Sequence, residues 1–309
     1  MTERKPLLCI VGPTAVGKTA LALEVARSLH GEIVSADALA VYHGMRIGTA
    51  QPTAVEREGV AYHLIDFLPP DKMFSVGQYQ QLAETCLQVI RQRAHLPILC
   101  GGSGLYVDAV IKRYRFAGQP ASVQLRQSLQ KRLETEGLEE LVEDLRRRDP
   151  HTWARIDRRN PRRVLRALEV ALQRPQDGQE DRYDRLRGET LPAIKIGLTL
   201  PREQLYRQIE MRVDAMIASG WLEEAERLKG HYPHLSQTAW SAIGYKELFA
   251  YLDGQLSLQE AVAKIKQRTR HLAKRQWSWF RRDPEIQWLD ASDGIAACAE
   301  EIVRRFADL

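Results

Sequence analysis

The chain has 309 residues, enough for two domains or for one large domain with an insertion. Its 44% hydrophobic and 28% charged residues are typical of a globular protein, and no run approaches the roughly 18 apolar residues of a membrane span. The four cysteines show no paired close spacing, which argues against a zinc site or a disulfide framework. The composition therefore predicts a cytoplasmic protein with no membrane contact, and we expect a monomer.

The net charge of +5 is unevenly distributed along the chain. From Arg146 to Arg166 there are nine arginines against two acidic residues, and from Lys264 to Arg282 there are eight basic residues and no acidic one. Such concentrated positive charge is typical of a surface that binds a polyanion. Basic helix faces that only meet solvent are the alternative.

A phosphate-binding loop is predicted near the start of the chain. The apolar run Leu7–Val11 leads in as a buried strand, and helix-forming residues lead out. Backbone N–H groups of such a loop can hold an anion, Lys18 adds a positive charge, and the Thr19 hydroxyl can hold Mg²⁺. A tight glycine turn before a helix is the alternative. The predicted anion-binding residues fit the pattern of Gly, four residues and Gly-Lys-Thr, and they are Gly12, Pro13, Thr14, Ala15, Val16, Gly17, Lys18 and Thr19.

Alternating strands and helices are predicted to follow this loop. Strands are expected at Glu32–Ser35, at Tyr62–Phe67 and at Pro97–Cys100. Ser75 is expected to cap a long helix that ends near Ala94. Because regular alternation of strand and helix is typical of the α/β class, we predict a mostly parallel sheet flanked by helices, like that of the P-loop NTPases.

The character of the sequence changes in residues 116–192. This stretch is predicted to be helical only, with breaks at Pro150 and Pro161, and it ends in a polar loop from Arg174 to Thr190. We interpret it as an all-helical insertion domain. The core is then formed by residues 1–115 and 193–309. In its second part we expect a strand at Ala193–Leu200, a helix from Pro201 to Ser219, a helix from Ser257 towards Phe280, a strand at Ile286–Leu289 and a helix at 294–308.

Two polar residues follow predicted strands of the sheet. In open parallel sheets ligands collect at the carboxyl ends of the strands, where Asp37 and Ser103 are both expected. A carboxylate at the position of Asp37 suits a general base, although an aspartate that only caps a turn is the alternative. The hydroxyl of Ser103 could hold a second side of the anion, with a plain helix-capping serine as the alternative.

Arg212 lies on the helix that starts at Pro201. Its spacing places it on the same stripe as the apolar residues Leu205, Ile209 and Met216. An inward guanidinium needs an anion, because an unpaired buried charge is costly. A diphosphate or a structural carboxylate would satisfy it.

The long helix after Ser257 has a basic face and an apolar face. Its three aromatic residues near the end, Trp277, Trp279 and Phe280, could stack on bases, but packing is the commoner fate of such residues. The apolar face belongs to the core, and the basic face is available to phosphates. The basic face comprises Lys264, Arg268, His271, Arg275 and Arg282, and the apolar face comprises Val262, Ile265, Leu272 and Trp279.

With these residues assembled, the chain resembles the bacterial tRNA dimethylallyltransferases, the isopentenyl-tRNA transferase family. The resemblance runs nearly end to end and includes the Arg212 helix. The motifs that carry it are GPTAVGKT from Gly12, SADALAVYHGMRIGTAQP from Ser35, GGSGLY from Gly101, RRVLRALEV from Arg162, MIASGW from Met216, AIGYKEL from Ala242 and HLAKRQWSWFRR from His271.

The resemblance implies an RNA-modifying transferase. Its substrates would be dimethylallyl diphosphate and the anticodon stem-loop of tRNAs that read codons beginning with U. The dimethylallyl group would pass to the exocyclic amine of the adenine 3′ to the anticodon, and diphosphate would leave. Asp37 matches the family's general base, Ser103 its usual threonine and Arg212 its diphosphate-contacting arginine. With Lys18 they form the expected catalytic set, and Mg²⁺ held by Thr19 is the expected cofactor.

The resemblance also implies a set of RNA-contacting residues, among them arginines of the helical insertion. The chain departs from the family at Ala38, where serine is common, at Ala40, where glutamine is common, and at Ser278, where threonine is usual. None of these departures removes a group that the chemistry requires. The expected tRNA-binding residues are Asp37, Leu39, Ser103, Arg126, Arg162, Arg163, Arg166, Lys274 and Arg275.

Two alternatives remain at the level of sequence. A phosphate-loop kinase for a nucleoside or small metabolite would also place a carboxylate after the second strand, but it has no need of the basic segments. An RNA-binding regulator with a degenerate loop would not need an intact Lys18 and Thr19. Ile65-Asp66 is the nearest candidate for the acidic strand end of a motor ATPase, and because it is short we expect no nucleotide hydrolysis coupled to work.

Overall fold

The computed structural model describes residues 6–115, 122–173, 186–187 and 190–307. The chain divides into two compact units, one formed by Met1–Ile111 with Leu191–Leu309 and the other by Lys112–Thr190. Within the described residues, no helix is both long enough and apolar enough to cross a bilayer.

The first unit is built on the predicted parallel sheet. Its six strands lie in the order β3-β2-β4-β1-β7-β8, and every neighbouring pair is parallel. β1, which leads into the phosphate loop, lies between β4 and β7 and is fully buried. The strands of the chain are β1 Leu7–Val11, β2 Gly31–Ser35, β3 Tyr62–His63, β4 Leu96–Gly101, β5 Tyr114–Arg115, β6 Leu186–Arg187, β7 Ala193–Thr199 and β8 Gln287–Asp290.

Helices cover the sheet and fill the second unit. Ser75 and Ser257 cap the N-termini of α3 and α13 with reciprocal side-chain and backbone hydrogen bonds, as predicted. The helices are α1 Lys18–Leu29, α2 Ala54–Arg57, α3 Val76–Gln92, α4 Gly104–Ile111, α5 Val123–Thr135, α6 Leu138–Arg148, α7 Pro150–Arg155, α8 Pro161–Leu172, α9 Arg202–Ala218, α10 Trp221–His231, α11 Gln237–Trp240, α12 Tyr245–Leu252, α13 Leu258–Phe280 and α14 Ile295–Ala307.

The sheet separates two apolar cores because successive side chains of a strand point to opposite faces. Leu7, Cys9 and Val11 of β1 belong to one core, whereas Leu8 and Ile10 belong to the other. All five are at most 1% exposed. β1 is therefore anchored in both cores, and this holds in place the start of the loop that follows it.

Two predictions about strands are wrong. The strand expected at Tyr62–Phe67 ends at His63, because Leu64 and Asp66 adopt left-handed φ angles of 60° and 52° that an extended strand does not allow. The stretch from 116 to 192 is not helical only, since β6 pairs antiparallel with β5. Most of the polar loop predicted at 174–190 lies outside the described residues.

The second unit has its own small core, formed where α5, α6 and α8 pack together. Pro150 and Pro161 each occupy the first turn of a helix, which is the position predicted for the breaks. The core residues of this unit are Leu129, Leu141, Leu145, Val164, Ala167 and Leu168.

Candidate active site

The loop between β1 and α1 is shaped to expose backbone N–H groups. Gly12 and Gly17 have φ angles of 143° and 102°, and Ala15 between them has a left-handed φ of 65°. A Cβ atom on Gly12 would lie 2.6 Å from the carbonyl oxygen of Leu198, so no larger residue fits there. Gly17 also gives the N-terminus of α1 no side-chain cap, which leaves the first N–H groups of this helix available to an anion.

Lys18 lies beneath this loop and is held by it. Its Nζ atom donates a hydrogen bond to the carbonyl oxygen of Pro13 at 2.6 Å. Burial lowers the pKa of Lys18 from 10.5 to about 8, and the positive charge of Arg212 acts in the same direction, whereas Cys100 and Asp37 oppose it. Lys18 and Arg212 line the same cavities and repel each other. A bound anion would offset this repulsion.

Arg212 lies on α9 and is half-buried, as is Met216 of the predicted stripe, whereas Leu205 and Ile209 of that stripe are buried. Burial lowers the pKa of Arg212, and the negative charges of Asp37 and Glu56 oppose this shift. Among the residues that the structure describes, Arg212 has neither a hydrogen-bond partner nor an ion-pair partner. The structure therefore offers no structural carboxylate for this guanidinium, and an external anion remains the explanation for its position.

Asp37 follows β2 and has one engaged and one open oxygen. Its Oδ1 atom accepts hydrogen bonds from the N–H groups of Leu39 at 2.8 Å and of Ala40 at 3.3 Å, which closes a local turn. Its Oδ2 atom has no hydrogen-bond partner within the described part of the chain. The turn-forming role and a role in chemistry can therefore coexist in one carboxylate.

Ser103 supports the Asp37 turn. Its Oγ atom accepts a hydrogen bond from the N–H group of Ala38 at 3.0 Å, and its own N–H group donates to the carbonyl oxygen of Ala36 at 3.1 Å. Gly101 and Gly102, the residues before it, line the cavity that contains Asp37. Through these two hydrogen bonds Ser103 helps to position Asp37. The hydroxyl hydrogen of Ser103 stays available as a donor.

Gln276 of α13 was not predicted, although it joins the two halves of the site. Its Oε1 atom accepts a hydrogen bond from the N–H group of Thr14 at 2.8 Å, and its Nε2 atom donates to the carbonyl oxygen of Gly102 at 3.1 Å. A Cβ atom on Gly102 would lie 2.3 Å from this Nε2 atom. The signal that could have found it is its spacing from Leu272, one helical turn away on the inner side of α13.

These groups meet in two cavities that share one wall. A small cavity of about 90 Å³ contains Asp37, Thr14 and Gln276, and a larger one of about 700 Å³ opens between α1, α9 and residues 46–58. Because Asp37 lines only the small cavity, the two cavities offer different approaches to the loop. The residues that line both are Lys18, Thr19, Ala50, Gln51, Pro52 and Arg212.

A carboxylate-rich metal site is absent from the described residues, where no group of three or more His, Cys, Asp or Glu side chains could hold a metal. Thr19, the predicted Mg²⁺ contact, lines both cavities, and Tyr62 is hydrogen bonded to it. This donor set fits Mg²⁺ of the kind that is held by few protein groups together with substrate phosphates. Asp66 is not such a donor, because it binds Arg46 Nε at 2.8 Å.

The basic face of α13 is exposed, whereas two of its three C-terminal aromatic residues, Trp279 and Phe280, pack inward. Lys274 and Arg275 are exposed, and neither has an ion-pair partner in the part of the chain that is described. Phe280 is buried, and the Trp279 ring covers the backbone of Gly104. Packing, rather than base stacking, is thus the role of these two aromatic residues.

The predicted RNA-contacting arginines of the second unit fall into two pairs. Arg126 and Arg166 both form ion pairs with Glu169, at 3.4 Å and 2.9 Å. Arg162 and Arg163 are exposed in the first turn of α8. Leu39, another predicted contact, packs half-buried against the core of the first unit.

Comparison with known proteins assigns the family. The sequence profile of the IPP transferase family matches residues 40–283. This chain belongs to that family. A relative named tRNA dimethylallyltransferase from Desulforudis audaxviator (strain MP104C) is 46% identical over 309 residues, with 98% of each chain covered. Another of the same name from Natranaerobius thermophilus is 44% identical over 296 residues, covering 94% of this chain and 88% of the relative.

Solved structures agree with this family assignment. The full-length tRNA isopentenylpyrophosphate transferase from Bacillus halodurans superposes with a TM-score of 0.72 at 38% identity, covering 98% of this chain and 97% of the other. A eukaryotic dimethylallyltransferase acting on tRNA has a TM-score of 0.77 at 24% identity, covers 94% of this chain and 74% of the other, and shares the fold. The predicted α/β fold and family are confirmed.

Proposed function

We propose that this member of the family transfers a dimethylallyl group from dimethylallyl diphosphate to the exocyclic amine of the adenine 3′ to the anticodon, in tRNAs that read codons beginning with U. The observation that carries the proposal is that Lys18, Arg212 and Asp37 line one small cavity. Cations for a leaving diphosphate and a carboxylate for a departing proton are thereby within reach of one reacting centre. The names of the relatives agree with this reaction.

Stabilisation of the leaving group is the main task of this site. An allylic carbon tolerates positive character, so its bond to the diphosphate oxygen can break early while negative charge grows on the diphosphate. The loop N–H groups, Lys18 and Arg212 would neutralise that charge in a partly buried volume, where electrostatic interactions are strong. Mg²⁺ held by Thr19 and the diphosphate would add further charge stabilisation when bound.

Asp37 would accept the proton of the attacking amine. An adenine amine is a weak nucleophile because its lone pair is delocalised into the ring, so removal of its proton must accompany formation of the carbon–nitrogen bond. The open Oδ2 atom of Asp37 is available for this, and Ser103 holds the turn behind it. General base catalysis of this kind contributes on the order of 10²–10⁴-fold.

The two cavities suit two substrates. The target adenine would leave its stack, at a cost of a few kcal/mol, and reach Asp37 through the small cavity. The prenyl diphosphate would enter from the larger cavity, whose walls include the shared residues Lys18 and Arg212. Exposed basic residues of α13 and α8, namely Lys274, Arg275, Arg162 and Arg163, would bind the RNA backbone.

The family assignment argues against a small-molecule kinase. A kinase would need the large cavity for a nucleotide, and it would have no use for the exposed cations Lys274 and Arg275 of α13. An RNA-binding regulator without catalytic activity would need neither an intact phosphate loop nor Arg212 in the same cavity.

The test is incubation of the purified protein with Mg²⁺, bulk tRNA and dimethylallyl diphosphate labelled separately in its prenyl and phosphate parts. We expect prenyl label on one adenosine per acceptor tRNA and phosphate label only in free diphosphate. Phosphate label on RNA or on a small acceptor, or no transfer to any tRNA, would reject the proposal.

A further inference from the structure

A third cavity lies beside the candidate active site and shares no residue with its two cavities. It has a volume of about 290 Å³ and lies between the N-terminal half of α9, the end of β7 and α13. Pro13 of the phosphate loop forms part of its wall, whereas the next residue, Thr14, lines the cavity of Asp37. On α13 the division is equally sharp, because Trp277 faces this cavity and Gln276 faces the other.

The lining combines apolar, aromatic and cationic groups. Leu205 and Ala273, both buried, belong to the core that forms its floor. Half-buried Tyr206 and Trp277 present aromatic surface from two different helices. The guanidinium groups of Arg202 and Arg270 lie 5.2 Å and 5.9 Å from the centre of the Tyr206 ring, so this ring already accommodates flat groups.

The cations at the rim are open to an anion. Lys274 and Arg202 are both exposed, and within the described residues neither has an acidic partner. Neighbouring cations on the same helix differ, because Lys266 binds Asp214 and Arg270 binds Glu210, each at 2.7 Å. Positive charge is therefore left uncompensated at the cavity.

We propose that this cavity binds one unstacked nucleotide of the RNA substrate other than the modified adenine. The inference rests on the proposed function. An aromatic-lined slot with cations at its rim matches a nucleotide, whose base stacks and whose phosphate needs positive charge. Its volume is near the lower end of the range of ligand pockets, about 300 Å³, which suits one nucleotide.

The position of the cavity favours RNA over a free nucleotide. Lys274 at its rim is followed on α13 by exposed Arg275 and by Gln276, which lines the Asp37 cavity, so an RNA backbone bound along this helix would pass both cavities. A loop that has already given up the stacking of its target base would regain stacking here. The cavity would thereby offset part of the cost of unstacking and fix the register of the RNA.

The test compares wild type, Tyr206→Ala and Tyr206→Phe in the transfer reaction, using RNA hairpins with one abasic loop position at a time. We expect one non-target abasic position to raise the wild-type KM for RNA by about 5- to 150-fold, the range for loss of one stacked base. Tyr206→Ala should raise the KM for the intact hairpin similarly and show no further loss at that position. Tyr206→Phe, which keeps the ring, should behave as wild type, and the KM for the donor should not change in either variant.

Several results would overturn the inference. They are the absence of a sensitive position in wild type, an additive effect of Tyr206→Ala with every abasic position, and competition by adenosine monophosphate that Tyr206→Ala abolishes. If Tyr206→Ala does not fold, a wild-type abasic scan without a sensitive non-target position still overturns the inference, and Tyr206→Leu then replaces Tyr206→Ala in the comparison. If wild type transfers no prenyl group to any hairpin, the proposed function fails, and hairpin affinity measured without donor still tests the cavity.

Discussion

At the scale of single residues, the site depends on charges that the protein itself leaves uncompensated. Arg212 has no partner among the described residues, and the pKa of Lys18 is lowered by burial. Asp37 has one oxygen committed to the backbone and one open. Burial disfavours the charged forms of Lys18 and Arg212 in the free protein, and a bound anion would offset that penalty, which is typical of a preorganised active site.

Asp37→Asn separates the two roles of this residue. The amide oxygen can still accept from Leu39 and Ala40, but the side chain is no longer a base. We therefore expect turnover to fall by about 10²–10⁴-fold while the affinity for RNA and the melting temperature stay close to wild type. Pre-steady-state transfer kinetics measure the loss. A variant that retains wild-type turnover would remove Asp37 from the role of base.

Arg212→Met should lower turnover and raise the stability of the unliganded protein. Removal of a half-buried guanidinium that has no ion-pair partner among the described residues should raise the melting temperature of the unliganded protein. Turnover should fall by about 10²–10³-fold, since one preorganised group on the developing charge is lost. Arg207→Met, an exposed position on the same helix, is the matched control and should change neither quantity. Loss of stability in Arg212→Met would show that the arginine has a structural partner.

Lys18 should make donor binding depend on pH. Because its pKa in the free protein is about 8, the side chain must take up a proton to bind a diphosphate above that pH. Donor affinity should be constant below pH 8 and weaken by about tenfold per unit above it. Lys18→Arg, which stays charged, should bind donor without this dependence. A flat profile in wild type would contradict a lowered pKa.

The same titration has an opposite effect on folding. In the unfolded chain the pKa of Lys18 returns to 10.5, so between pH 8 and 10.5 the unfolded state binds more protons than the folded state. Stability therefore rises with pH across this window, and the destabilisation is fully present below pH 8.

At the scale of elements, α13 connects an exposed basic surface to the phosphate loop. Its outer face carries Lys274 and Arg275, and its inner face carries Gln276, which bonds to Thr14 and Gly102. One rigid helix therefore positions both the exposed cations and the loop. Gln276 also occupies the N–H group of Thr14, one of the donors that faces the small cavity.

Gln276→Ala should loosen the loop without affecting the rest of the helix. Loss of two hydrogen bonds, each worth about 0.5–1.5 kcal/mol, should raise the KM for the donor by roughly tenfold. Gln267→Ala, at an exposed position of the same helix, is the control. Donor titrations monitored by transfer rate measure the effect. An equal change in both variants would assign it to helix stability rather than to the loop.

Local patterns in the sequence predict those parts of the fold that local physics determines. The strand, loop and helix around Gly12, the caps Ser75 and Ser257, and the inward face of Arg212 all follow from short-range spacing. Gln276 could not be assigned in this way, because its partner Thr14 is 262 residues away. Helical spacing can show that Gln276 faces inward, but it cannot show that its partner is the loop at Thr14.

The errors at strands have the same origin. β5 and β6 have two residues each and pair across more than 70 positions, too short for any periodic signal. β3 was predicted too long because the apolar pattern continues past His63, whereas the backbone turns at Leu64. Backbone conformations of this kind depend on the surrounding loops rather than on the side chains alone.

At the scale of the whole molecule, the excess of basic over acidic residues lies in two stretches, one in each compact unit. The first unit carries the phosphate loop, Asp37 and α13, and the second carries α8 with Arg162 and Arg163. A chain that only transferred phosphate between small molecules would need neither stretch. The distribution supports a polyanionic acceptor brought to a site that is itself built for a small anion.

The most direct test of the central claim is a crystal structure of the protein with Mg²⁺ and an unreactive thio-analogue of dimethylallyl diphosphate. We expect the diphosphate oxygens within hydrogen-bonding distance of Lys18 and Arg212, and the allylic carbon directed into the cavity of Asp37. A diphosphate bound without contact to Arg212, or a prenyl group directed away from Asp37, would contradict the account.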